Sequence, residues 1–113
     1  MDIRFLGANQ TVTGSKTLLS TAAGCWLIDC GSYQGYKSLR KRNRQTLPFD
    51  IDKLAGIVLT HAHLDHSGLV PLLYRNGYRG PVYCSEGTAE LCGLLWPDSG
   101  YLQEEEAYFA NKY

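Results

Sequence analysis

No apolar run in this chain approaches the roughly 18 to 20 residues of a membrane span, and the start Met1-Asp2-Ile3-Arg4 lacks the apolar core of a secretory signal. The expectation is a soluble, cytoplasmic protein with no membrane partner. The four cysteines, Cys25, Cys30, Cys84 and Cys92, form no C-x-x-C pair, so neither a second thiolate cluster nor a disulfide framework is expected. Cys25 and Cys84 lie in apolar strand-like runs, where small buried residues belong. Net charge is lacking too: eleven basic residues balance eleven acidic ones, which removes any global electrostatic pull toward nucleic acid. One stretch departs from this balance. Residues Tyr36 to Arg44 hold five of the eleven basic side chains and fit either a solvated helix face or a local polyanion contact.

A length of 113 residues allows one domain with a modest core and no second catalytic domain. Ile3-Arg4-Phe5-Leu6-Gly7 alternates as a strand, and Ala8 to Ser15 gathers the Asn, Thr and Gly of a functional loop. Lys16 to Ser20 and Cys25 to Asp29 form two further strands, joined by a hairpin connection over Thr21-Ala22-Ala23-Gly24. The run Gly56-Ile57-Val58-Leu59-Thr60 is strand-length and buried on both faces. A helix is predicted from Gly68 to Gly77, with a proline in its first turn and a glycine at its end. Pro81 to Cys84 supplies a last strand. Two helices follow, Glu86 to Leu95 and Gln103 to Lys112, separated around Pro97-Asp98-Ser99-Gly100. Strands first and then alternating strand and helix predict a mixed sheet with helices packed on it, an α/β fold that is α+β by strict class.

Histidine is absent outside six positions. Leu59-Thr60-His61-Ala62-His63-Leu64-Asp65-His66-Ser67-Gly68 carries all three histidines of the chain with an aspartate among them, directly after a buried strand. Three imidazoles and a carboxylate on one tight loop offer the nitrogen and oxygen donors that zinc binds at about 2.0 to 2.2 Å, and manganese or iron would accept them with other preferences.

His61-Ala62-His63-Leu64-Asp65-His66 resembles the H-x-H-x-D-H signature of the metallo-β-lactamase fold, and Asp29, before Cys30-Gly31, resembles its first-motif aspartate. Ile3 to Gly7, Thr11 to Ser15, Ile28 to Gly31, Leu59 to Gly68 and Leu102 to Ala107 together resemble the β-CASP branch of RNA-processing nucleases. That resemblance implies half of an αββα architecture. It also implies a two-zinc site, with His61 and His63 on one ion, Asp65 and His66 on the other, and Asp29 orienting the loop or its ligands. Manganese is an alternative ion. A metal-activated water would attack phosphorus in line, with Asp65 also helping to orient the nucleophile.

The family completes this site with a later histidine and a bridging aspartate, and the branch adds an inserted domain. No histidine follows His66, and Asp98 is the only later aspartate. Residues 1–113 are therefore expected to form the N-terminal portion of a metallo-β-lactamase-like domain, with an incomplete sheet sandwich. RNA, or alternatively DNA, is the expected substrate in the longer context; the basic segment and Leu102 to Ala107 favour the nuclease. Two other readings stand beside it: a non-catalytic metal-binding or assembly module completed by a partner chain, and a thioester, lactone or β-lactam hydrolase. An incomplete sandwich leaves apolar surface open, so self-association or a completing partner is expected. Glu104, Glu105 and Glu106 point 100° apart on a helix and form a solvated face rather than a ligand set.

Overall fold

The computed structural model of the chain describes residues 1–7, 14–33 and 49–112, with side chains described as far as residue 100. Most of the expected functional loop, the basic segment, and the side chains of the glutamate run and of Tyr101, Tyr108, Phe109 and Tyr113 lie outside the described residues.

Five strands lie side by side in chain order. β1 (Asp2–Gly7), β2 (Lys16–Thr21) and β3 (Gly24–Cys30) form an antiparallel meander. β4 (Leu54–Val58) and β5 (Val82–Tyr83) then join in parallel. The expected β2–β3 hairpin is present: Thr21 pairs with Gly24, and the Thr21 hydroxyl accepts from Ala23 N at 3.1 Å while donating to Gly24 O at 3.1 Å. A 3-10 turn, Ile51–Lys53, is capped by Asp50 and leads into β4. β4 thus starts two residues before the predicted Gly56.

Helices fall between and after the parallel strands, as the order of elements predicts: α1 (Leu64–Ser67), α2 (Val70–Arg75) and α3 (Glu86–Lys112). Two boundaries differ from the sequence reading. The helix predicted from Gly68 to Gly77 is shorter, Val70–Arg75, and a separate helical turn precedes it inside the histidine motif, so Asp65 and His66 stand on a helical turn rather than a loop. The two C-terminal helices are one, with Pro97 inside it. Proline removes one backbone bond, to Gly93 O, yet the helix continues because Cys92, Leu95 and Trp96 on its inner face pack on the core.

Register sorts the side chains. Leu18, Leu27, Ile57 and Val82 form one cross-strand row, and buried Leu27 and Ile57 meet Val70, Leu73 and Cys92 from the helices. The opposite face carries Ile3 and Leu19, Trp26 beside Gly56, and Ile28, Val58 and Tyr83. A Cβ on Gly56 would lie 2.7 Å from the Trp26 ring, so glycine lets Trp26 and Tyr83 close to 6.0 Å between centroids across β4. That second face is poorly covered: Ile3 is 50%, Phe5 68% and Tyr83 51% exposed.

The cysteines are distributed otherwise than predicted. Cys84 is exposed and Cys25 half-buried, whereas Cys30 and Cys92 are buried. Cys84 follows the two-residue strand β5, the edge strand of the sheet among the described residues. Burial pushes the Cys30 thiol up to about 12, despite the opposing pull of nearby Lys16.

Candidate metal centre

β3 and β4 run parallel, so both carboxyl ends open on the same side of the sheet, the usual place for a site in such folds. Asp29 comes from the first and residues 60 to 66 follow the second.

Asp29 reaches inward because the strand is locally irregular. Lys16 pairs with Cys30 and Thr17 with Ile28, which leaves Asp29 as the extra residue of a β-bulge, with φ 61°. Aspartate tolerates this left-handed conformation better than most residues. The strand therefore does not end at Asp29, as expected from sequence, but turns its carboxylate out of the ladder. Oδ1 accepts from Thr60 N at 2.8 Å, and Oδ2 accepts from the Thr60 hydroxyl at 2.7 Å and lies 2.8 Å from His66 Nδ1.

These contacts dictate ring protonation. An ionised carboxylate only accepts, so His66 Nδ1 carries a proton, and in the neutral ring Nε2 keeps its lone pair. The single Thr60 proton is spent on Asp29. The contact between Thr60 Oγ1 and His61 Nδ1 at 3.1 Å is then a bond from the ring N–H, and His61 Nε2 is free as well. One carboxylate thus sets the tautomer of two histidines, directly and through a hydroxyl.

The donors converge. His61, His63 and Asp65 offer ligand atoms within 4.8 Å of one another. The His61 ring lies 3.8 Å from His66 and 5.0 Å from His63, centroid to centroid. His66 Nε2 faces Asp65 Oδ2 at 3.3 Å; with the ring neutral these are two electron-pair donors that a cation would satisfy, and with the ring protonated they form an ion pair. The residues present therefore fit a divalent ion in donor type, tautomer and spacing. His66 stands beside the three-donor group rather than within it, and Asp65 links the two.

Several supporting residues were not legible in the sequence. His66 N and Ser67 N both donate to His63 O, at 2.8 and 2.9 Å. Ser67 is fully buried; its hydroxyl donates to Ala62 O at 2.7 Å and accepts from Trp96 Nε1 at 3.2 Å. From the other side Ser15 N donates to Asp65 O at 2.9 Å, and Ser32 donates to Leu64 O through both N and Oγ. A Cβ on Gly31 would sit 1.7 Å from Asp65 O, which explains glycine there. Small residues after Asp29 were the only sequence hint of this close approach.

The family model of the metallo-beta-lactamase superfamily matches residues 12–106, including every candidate ligand. The chain belongs to that superfamily. Among curated proteins it is 41% identical over 99 residues to a ribonuclease of Thermus thermophilus, covering 88% of this chain and 22% of that protein. It is 43% identical over 94 residues to the transcription termination factor FttA of Methanosarcina mazei, and 33% identical over 102 residues to Integrator complex subunit 11 of Gallus gallus. These matches cover 82% of this chain and 15% and 16% of those two proteins. The chain thus spans about a fifth or less of the length of these relatives, and they accord with the β-CASP resemblance. Among solved structures, human tRNase Z, short form, is similar at TM-score 0.53 and 25% identity over 88% of this chain and 41% of that one. A B3 metallo-beta-lactamase is similar at TM-score 0.54 and 29% identity over 79% of this chain and 32% of that one. The mixed sheet with helices is the fold expected of the family.

Proposed function

We propose that this chain supplies the first half of a two-metal site for RNA phosphodiester cleavage, within a longer or assembled metallo-β-lactamase-fold nuclease. The observation that carries the reading is the convergence of His61, His63 and Asp65, with His66 adjoining and two ring tautomers set by Asp29. A divalent ion bound there, zinc or manganese, supplies Lewis acidity and lowers the pKa of water toward neutrality. His61 and His63 hold one ion through free ring nitrogens, Asp65 and His66 hold the second, and Asp29 orients the rings. Asp65 also orients the attacking group.

Solved structures of a tRNase Z and a β-lactamase are about equally similar, so fold likeness alone does not choose the substrate. The curated relative named as a ribonuclease, at 41% identity, supports RNA over a β-lactam, thioester or lactone, and over DNA. A cytoplasmic location accords with such a role, and no helix among the described residues is long and apolar enough to cross a membrane.

The experiment is incubation of the metal-loaded longer protein, or of the assembly that completes this chain's site, with end-labelled single-stranded RNA, the same sequence as DNA, and a chromogenic β-lactam. Cleavage of RNA that His63→Ala abolishes is the expected result; turnover of the β-lactam alone would overturn the substrate assignment.

A partner belongs to the same reading. The sheet face bearing Ile3, Phe5 and Tyr83 is the wrong surface to leave in water, and a second layer, from the rest of the protein or another copy, would bury it. In isolation the chain is expected to scatter light as more than its 12.6 kDa monomer across a dilution series, and Phe5→Lys is expected to shift it toward the monomer. A compact monomer at every concentration would count against this.

A further inference from the structure

Lys16 opens β2 almost wholly out of water, at 2% exposure. Its ammonium donates to Gly31 O at 2.8 Å and to Gly14 O at 3.3 Å, and lies 4.5 Å from the centroid of the Tyr33 ring. Among the described residues no carboxylate lies within 4.0 Å of it. Burial pulls its pKa down, and the Cys30 thiol beside it opposes that pull. A buried cation held by carbonyls and a ring is a costly way to fill space, and a methionine would fill it at lower cost.

The two segments that Lys16 ties together are the ones that grip the metal loop. Gly31 N donates to Ser15 O, and Ser15 N donates to Asp65 O, both at 2.9 Å. Ser32 N donates to Leu64 O at 2.8 Å. Gly31 itself abuts the Asp65 carbonyl so closely that no side chain fits between them. Resting on the ligand assignment above, we infer that Lys16 is a positioning residue for Asp65. Its ammonium staples the Gly14 and Gly31 carbonyls, and this staple sets where the Asp65 main chain, and hence its carboxylate, meets the metal. The alternative is that Lys16 merely stabilises the sheet.

The test uses the full chain with cobalt(II) as the probe ion, read by its absorption bands, and amide hydrogen exchange without metal. Lys16→Met is expected to weaken cobalt binding about tenfold, the usual scale for groups that support ligands from behind. In an Asp65→Asn background it is expected to cost nothing further, because the ligand it positions is already impaired. Exchange at the Ser15 and Ser32 amides is expected to quicken about tenfold relative to Leu27 and Ile57 in the core. Lys16→Gln, which keeps one donor to a carbonyl, is expected to fall between the two, and serves if Lys16→Met does not fold. Equal loss of affinity in both backgrounds, or exchange that quickens uniformly through the core, would reduce Lys16 to a structural residue. Cobalt binding by Lys16→Met as tight as by the parent chain would overturn the inference and leave the ligand assignment standing. A parent chain that takes up no cobalt would overturn that assignment, and the Lys16 inference with it.

Discussion

Replacing Asp29 by alanine is expected to destabilise the chain by about 3 kcal/mol and to weaken metal binding by about 10- to 100-fold. Three interactions end on this one nearly buried carboxylate, from Thr60 N, the Thr60 hydroxyl and His66 Nδ1. Removing it leaves those donors without an acceptor and frees both rings to change tautomer, so that Nδ1 rather than Nε2 can present the lone pair. Alanine also bears the strain of φ 61°, about 1 kcal/mol or more, which glycine escapes. Asp29→Asn keeps one acceptor and tolerates the left-handed backbone. Its amide N–H groups, however, cannot accept from His66. Denaturant unfolding should therefore rank the variants Asn, Gly, Ala from most to least stable, while all three bind cobalt or zinc weakly. If Asp29→Asn bound metal as tightly as the parent, the role given to this carboxylate would be wrong.

Joint replacement of His61 and His63 by alanine is expected to bring zinc and manganese per chain to background, measured by elemental mass spectrometry, with the far-ultraviolet circular dichroism unchanged. The fold should survive because His63 is exposed and His61 half-buried, and neither belongs to the cluster around Leu27, Ile57 and Leu73. The loop that carries them is held by backbone and serine contacts that do not involve either ring. Metal content unchanged in the double variant would sink the ligand assignment. Close to two tight ions in the parent, with an oligomeric mass, would mean that other chains complete the site; a single weak ion would mean that the half-site works only within a longer protein.

The site was legible to different degrees for physical reasons. His61, His63, Asp65 and His66 are close in sequence, so local spacing was enough to bring them together. Asp29 is 31 residues from its partner Thr60, and it was pointed to by its place at the end of a strand and its likeness to the family's first-motif aspartate rather than by any local partner. Thr60, Ser15, Ser32, Ser67 and Trp96 are ordinary residue types whose work consists of contacts made across the fold, and nothing in their own neighbourhoods announces it. Element boundaries failed where tertiary contacts overrode local signals. Pro97 argued for a break, yet the packing of Cys92 and Trp96 carries the helix through it. Cys84 sat in a strand-like run, but that strand is two residues long and leaves the thiol exposed.

What the sequence determined by itself was the donor set and the class of sheet, because both are written in short-range patterns: a histidine cluster over six positions, alternation in the strands, and the order of strands and helices. Only the tertiary structure decided which nitrogen of the His61 and His66 rings carries a proton, which strand register bulges to aim Asp29, and that a buried lysine stands behind the Asp65 loop. Those outcomes depend chiefly on contacts between distant parts of the chain, Thr60 and His66 on Asp29 and Lys16 on Gly31, each at 2.7 to 2.8 Å. Hydrogen-bond direction and burial arise only once the sheet has closed.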